Sequence, residues 1–237
     1  HVGWRMTFFS IGVFSALTFL YIAWRLPKVP SGGGFSPKKL PELLRHKGIM
    51  GLYLFTLLIS SAIYVAYSYI EPFLKQVSLM PDDWVTTALM VFGGAGLLGS
   101  IAFSKYYNRN RKLFITVNVA AMALCLLLLY PVSSGFLPVI MLLAVWGATA
   151  TAYNVAMQSN MILVTTPEST PVAMSIFSGI FNLGIGSGAF FGGTICSDLS
   201  ISYIGLAGGV FALIGLVYWV ARLGNRIEPK DTLDKYL

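Results

Sequence analysis

The chain of 237 residues is 56% hydrophobic and 11% charged, with a mean hydropathy of +0.74, whereas soluble domains carry about 25% charged residues; a water-exposed globule is excluded. The net charge of +7 does not point to nucleic acid, because Lys and Arg sit between apolar blocks and no face interleaves them with aromatics. Cys125 and Cys196 give no disulfide or metal framework, and there is no nucleotide-type phosphate loop, metal-ligand spacing or Ser/His/acid set, so neither an enzyme nor a cofactor nor a metal is expected.

A helix needs roughly 20 apolar residues to cross a hydrocarbon core of about 30 Å. Seven blocks qualify, in chain order about 6–24, 48–70, 84–103, 113–130, 137–157, 172–195 and 203–221. Pro27, Pro30 and Gly32-Gly33-Gly34 end the first. Glu71-Pro72 is expected to end the second, since the residue before proline avoids helical angles. Asp82 and Asp83 open the third, where carboxylates suit a helix amino terminus. Ser169-Thr170-Pro171 gives the sixth a capping hydroxyl and a first-turn proline. The segment 36–45 reads as a linker, with a short surface helix on anionic lipid as the other reading.

Of the 16 Lys and Arg residues, all but Arg5 and Lys75 fall in one set of loops: 25–47, 105–112 and the tail from Arg222. The positive-inside rule places that set, and the carboxy terminus, in the cytoplasm. The first block then runs from outside to inside. The chain begins His1-Val2-Gly3 without a signal peptide, so about five further spans are expected upstream.

Blocks two to seven divide into two triplets. The leading blocks carry most of the mid-span polar and aromatic residues: Tyr64, Tyr67, Ser68, Tyr69 and Glu71, then Trp146, Tyr153, Asn154 and Gln158. The middle blocks are glycine-rich, and Gly184, Gly188 and Gly192 form a small-xxx-small stripe for close helix packing. The trailing blocks are plainly apolar. Lining, packing and lipid-facing, twice over, is the pattern of an inverted three-plus-three repeat.

Gly3-Trp4-Arg5-Met6-Thr7-Phe8-Phe9 resembles the start of the sixth span in the drug/proton antiporter branch of the major facilitator superfamily. Ala66-Tyr67-Ser68-Tyr69-Ile70-Glu71-Pro72-Phe73, with 177–186, is similar to the bacterial SotB-type sugar efflux transporters. Gly93-Gly94-Ala95-Gly96 and Val172-Ala173-Met174 agree in order. The resemblance covers essentially the whole chain. It implies an all-α membrane protein of the major facilitator fold. Residues 1–24 would be the sixth span, 25–47 the central cytoplasmic linker, 48–222 the carboxy-terminal six-helix bundle and 223–237 a cytoplasmic tail. It also implies export of arabinose-like sugars and thiogalactosides across the bacterial inner membrane, against proton entry, with the amino-terminal half supplying the coupling acids. The loop 104–112 keeps the basic residues of the superfamily's loop motif but lacks its acidic member, which argues against a charge lock in this half. A multidrug/proton antiporter is the alternative transporter. A seven-span receptor or sensor fits the triplet symmetry less well.

Candidate substrate-binding residues follow from chemistry. Tyr64, Tyr67, Ser68 and Glu71 fall at offsets that share one helical face, and phenol rings beside hydroxyls and a carboxylate suit a sugar. An aromatic belt at the interface explains the same tyrosines. Glu71, expected at a helix carboxy terminus where negative charge is disfavoured, is either a hydroxyl acceptor, a protonatable group or an interfacial carboxylate beside Lys75. Asn182 would bind substrate or a neighbouring helix, since buried amides need partners. Trp146, Tyr153 and Asn154 are candidates on the fifth block. Gln158 reads as structural, Asn118 as an interhelical hydrogen bond and His46 as a solvated linker residue.

Overall fold

The computed structural model describes residues 4–25 and 40–225. The breakers at Pro27, Pro30 and Gly32-Gly33-Gly34, Lys28, Lys38 and Lys39 of the linker, and the tail residues Arg226, Lys230 and Lys235 lie outside the described residues, as does the start of the motif at Gly3. The chain divides into two compact units, His1–Gly34 and Phe35–Leu237. In the first, α1 (Trp4–Arg25) is apolar around its whole circumference and long enough to cross a bilayer, as a lipid-immersed span requires.

The second unit is all helical among its described residues. It contains α2 (Leu40–Arg45), α3 (Lys47–Tyr67), α4 (Ile70–Gln76), α5 (Asp82–Tyr106), α6 (Arg111–Leu128), α7 (Phe136–Leu163), α8 (Thr170–Asp198) and α9 (Ile204–Tyr218). A single 3-10 turn, Ile201–Tyr203, leads into α9, and a π-helical turn, Trp219–Leu223, ends it. With α1, seven helical stretches meet the length and hydropathy of membrane spans; five lie within about three residues of their expected bounds, while the second and fifth run on to Gln76 and Leu163. The linker segment includes the short helix α2, whose Leu43 is buried.

Local chemistry sets the helix ends. His46 caps α3, its Nδ1 accepting from Ile49 N at 3.4 Å. Asn110 caps α6 through Leu113 N at 2.9 Å. Asp82 and Asp83 occupy the first turn of α5. The expected Ser169 cap does not form. Its hydroxyl turns back to Thr166 instead, accepting from Thr166 N at 3.1 Å. Pro72 breaks the second span earlier than expected: lacking an N–H, it leaves the Ser68 carbonyl four residues before without its helical donor. The helix stops at Tyr67 and restarts at Ile70, so Glu71 stands in a first turn and not at a carboxy terminus.

α3 is the most buried helix, with Leu52, Phe55, Ile59, Ala62 and Val65 fully enclosed. It packs on α8 and α9, while α5 packs on α7, and α6 on both α7 and α9. Exchanging α3 with α7, α5 with α8 and α6 with α9 leaves this set of pairs unchanged. Consecutive spans alternate in direction, so each exchange partner crosses the opposite way. That is the geometry of an inverted three-helix repeat.

Small residues set the close pairs. A Cβ on Gly188 would lie 2.6 Å from Ser61 O, and one on Gly192 2.5 Å from Val65 O, so α8 approaches α3 backbone to backbone. Gly184 faces the Ser60 side chain in the same seam. Across the repeat, a Cβ on Gly99 would meet Ala148 O at 2.1 Å and one on Gly147 would meet Phe92 O at 2.0 Å. Hydrogen bonds stitch the α3–α8 seam: Tyr53 Oη donates to Ala173 O and Tyr69 Oη to Ala189 O, each at 3.0 Å, and the Ser61 and Ser187 hydroxyls meet at 2.8 Å. Asn118 makes no interhelical bond of the expected kind; its Nδ2 donates to Phe114 O one turn back on α6, at 2.8 Å.

Candidate functional site

Two cavities open beside the broken second span. The first, about 290 Å³, lies among α3, α5, α7 and α8. Tyr64 and Tyr67 enter it from α3, Phe92 from α5, Thr151 and Asn154 from α7, and Phe181 from α8. Ile63, Gly93, Gly147, Ala150 and Val155 complete a lining without any Asp, Glu, Lys, Arg or His. The second, about 400 Å³, lies between α4 and α5 and contains Glu71, Lys75, Asp82 and Thr86.

Aromatic contacts order the first cavity. Tyr67 stacks on Phe92 with centroids 4.9 Å apart, and both rings stand against Trp146 at 6.2 and 5.2 Å in edge-to-face geometry. Tyr64 meets Tyr67 at 5.8 Å and Phe181 at 6.3 Å, again edge to face. Such pairs add about 0.5–1.5 kcal/mol beyond burial, so the rings form a defined wall and not a loose apolar patch. Glycine at 147 lets α7 approach the backbone of Phe92 on α5, and glycine at 93 leaves open space beside the wall. The polar groups reaching the space are neutral: the Tyr64 and Tyr67 phenols, the Thr151 hydroxyl and the Asn154 amide, whose Oδ1 accepts from Gln158 Nε2.

The sequence candidates therefore separate. Tyr64, Tyr67 and Asn154 share one cavity. Trp146, 1% exposed, stands behind its wall. Tyr153 is equally buried and packs on Phe55 at 5.8 Å, outside the lining. Ser68 is exposed in the helix break and lines neither cavity. Glu71 does not share the face of Tyr64 and Tyr67, because the break between them resets the helical register. It lines the second cavity and pairs with Lys75 at 3.0 Å, and Lys75 reaches Asp82 at 3.1 Å. Asn182 is exposed and donates to Ser178 O on its own helix at 2.8 Å, while its neighbour Phe181 faces the cavity. Phe92 and Thr151 escaped the sequence reading. Phe92 precedes a glycine pair read as packing, and Thr151 lies one turn before Asn154, which was the available signal.

Outside the spans, the α5–α6 turn is pinned by Tyr107. Its ring is buried, stacked on Phe103 at 4.6 Å with the Arg111 guanidinium 5.6 Å from the ring centre. Burial pushes this phenol's pKa up, against smaller opposing effects from Ser159 and the Arg111 charge. An aromatic pin thus occupies the loop where the acidic member of the motif is missing.

A bundle of long apolar helices, two close-packed small-residue seams related by an inverted repeat, and a neutral cavity between them define a polytopic membrane transporter. The sequence profile of the Major Facilitator Superfamily matches residues 1–168 and again 110–235. The chain belongs to that superfamily, whose members as a rule carry small molecules across a lipid bilayer and are not enzymes.

Proposed function

We propose that this chain is the carboxy-terminal portion of a secondary sugar exporter that moves arabinose-like sugars and thiogalactosides outward across the bacterial inner membrane. An upstream six-helix half would complete the binding site, the two halves would rock about it, and proton entry would drive export through differential affinity of the two states. The observation that carries the reading is the cavity lining. Sugars present uncharged hydroxyls around weakly apolar ring faces, and the lining offers aromatic faces with neutral hydrogen-bonding groups and no ionisable side chain. A neutral polyhydroxylated ligand satisfies both, whereas an ionic ligand would lie there without a counter-charge.

The test is efflux of radiolabelled arabinose or thiogalactoside from cells carrying the full-length protein, with and without a collapsed proton gradient. Gradient-dependent efflux is expected. Unchanged sugar retention would remove the substrate assignment. One observation favours the multidrug alternative: the rings of Tyr64, Tyr67, Phe92 and Phe181 make much of the lining aromatic. Export of an uncharged aromatic drug without sugar efflux, in the same cells, would select it. Orientation is tested separately. A cysteine replacing Lys75 should react with impermeant thiol reagents in intact cells and one replacing Arg111 should not; the reverse would invert the proposed topology.

A further inference from the structure

Away from the cavities, charge is unevenly placed along the chain. No Asp or Glu occurs between Asp83 and Glu168, or between Asp198 and Glu228. The first of these stretches holds Lys105, Arg109, Arg111 and Lys112 around the turn from α5 to α6. The second holds Arg222 in the π-helical turn that ends α9. Consecutive spans alternate in direction, so both places lie at one end of the bundle. Among the described residues, ion pairs join Lys75 to Glu71 and to Asp82 at the opposite end, and none of these five cations has an acidic partner.

Neutral groups orient three of them. The Arg111 guanidinium lies over the buried Tyr107 ring, Lys105 Nζ stands 5.3 Å from the centre of the Tyr106 ring, and Lys112 Nζ donates to Asn225 Oδ1. Contacts of this kind direct a cation and leave its charge in place. Lys112 also joins the two segments: a Cβ on Gly224 would stand 3.3 Å from its Cγ and Cε. One turn further into the bundle, Trp219 Nε1 donates to Thr116 Oγ1 at 3.1 Å, tying the end of α9 to α6 again. Both helices then continue into exposed apolar faces, Leu113, Val117 and Leu124 on α6 and Val220, Val217 and Val210 on α9. Spacings of three, four and seven keep each set on one helical side.

We propose that the α5–α6 turn and the end of α9 form a docking surface for an anionic phospholipid of the surrounding leaflet, with its headgroup among the five cations and its acyl chains along the exposed faces of α6 and α9. Clusters of basic residues at the ends of spans attract anionic headgroups. Here the protein supplies no acid of its own between the cations, so the lipid provides the missing counter-charge. A soluble anion would meet the charge and leave the apolar faces bare. A zwitterionic lipid brings its own cation and gains less from the cluster. This inference does not rest on the identity of the substrate.

The experiment is native mass spectrometry of the full-length protein, released from detergent micelles holding equal amounts of phosphatidylglycerol and phosphatidylcholine with the same acyl chains. Retained phosphatidylglycerol should exceed phosphatidylcholine by about tenfold, the scale of a few surface cations acting together. The triple variant Arg109→Gln, Lys112→Gln, Arg222→Gln should lose most of that preference. The charge-keeping triple Arg109→Lys, Lys112→Arg, Arg222→Lys should retain it, which separates lost charge from lost folding. Arg45→Gln with Lys47→Gln, beside the start of α3 at the same end, should leave it unchanged. Equal retention of the two lipids by the parent, a preference that survives the Gln triple, or equal loss in the charge-keeping triple or the Arg45 and Lys47 variant overturns the proposal. Displacement of phosphatidylglycerol by an equal concentration of inorganic phosphate would mark a soluble-anion site and overturns it as well.

Discussion

α3 presents two faces that obey different rules. Towards α8 it meets glycine, its backbone comes within contact of the neighbouring helix, and every buried tyrosine and serine hydroxyl named in that seam has a partner. Towards α7 it meets aromatic rings and an uncharged cavity. In lipid, apolar side chains gain little by leaving one apolar surface for another, so helix pairs are held by close packing and by interhelical hydrogen bonds. The α3–α8 face has both, and the α3–α7 face has no glycine-mediated close approach. The first reads as a fixed joint, and the second as the surface on which binding is possible.

Substitutions break or sharpen this contrast. Gly188→Leu should have the largest effect, because even its Cβ would overlap the Ser61 carbonyl, a backbone atom that no rotamer change relieves. Overpacking of this kind costs about 1–3 kcal/mol or more. Little folded protein should survive detergent extraction, as measured by size-exclusion chromatography. Recovery equal to the parent would show that the seam is looser than described.

Tyr67→Ala comes next. It removes a ring from the wall, and transport per folded molecule should fall by roughly tenfold, the scale of one aromatic anchor. Abundance should fall much less, since Tyr67 is 36% exposed. Parallel loss of abundance and transport would make the ring structural. Ser61→Ala deletes one interhelical bond and should lower stability by about 0.6 kcal/mol, the average for such bonds in a membrane bundle. Chemical denaturation in mixed micelles measures it, and a loss above that of Gly188→Leu would invert the order of causes. Gly186→Ala is the smallest. A Cβ there has no neighbour within 4 Å, so the change should be neutral or stabilise by up to about 1 kcal/mol through helix propensity. Destabilisation of the isolated bundle would reveal a contact not accounted for.

The spans were legible because a bilayer demands long apolar runs and because prolines, aspartates and glycines punctuate them. The small-residue stripe 184, 188 and 192 was legible from spacing alone, and the superfamily from a few motifs. The helix break was misplaced because proline acts on the carbonyl four residues before it as well as on the residue preceding it. That error carried Glu71 onto the wrong face and gave it a helix-end role it does not have. Phe92 and Thr151 were missed for another reason. Each owes its place to the neighbouring helix opposite it, and one-helix periodicity contains no information about which turn of α3 stands beside which turn of α7. Asn182 shows the converse: a mid-span amide invites a partner, yet its own helix supplies the acceptor at Ser178.

The claim that most needs a direct measurement is that the cavity among α3, α5, α7 and α8 receives the transported molecule. Thr151 lines it on α7 and is half-buried, so a single cysteine there, in the full-length protein stripped of Cys125 and Cys196, reports its occupancy. The rate of alkylation by a small neutral maleimide should fall severalfold in saturating arabinose or thiogalactoside, and the non-substrate stereoisomer should leave it unchanged. An alkylation rate indifferent to a sugar that the same variant still exports would place the binding site elsewhere and contradict the account.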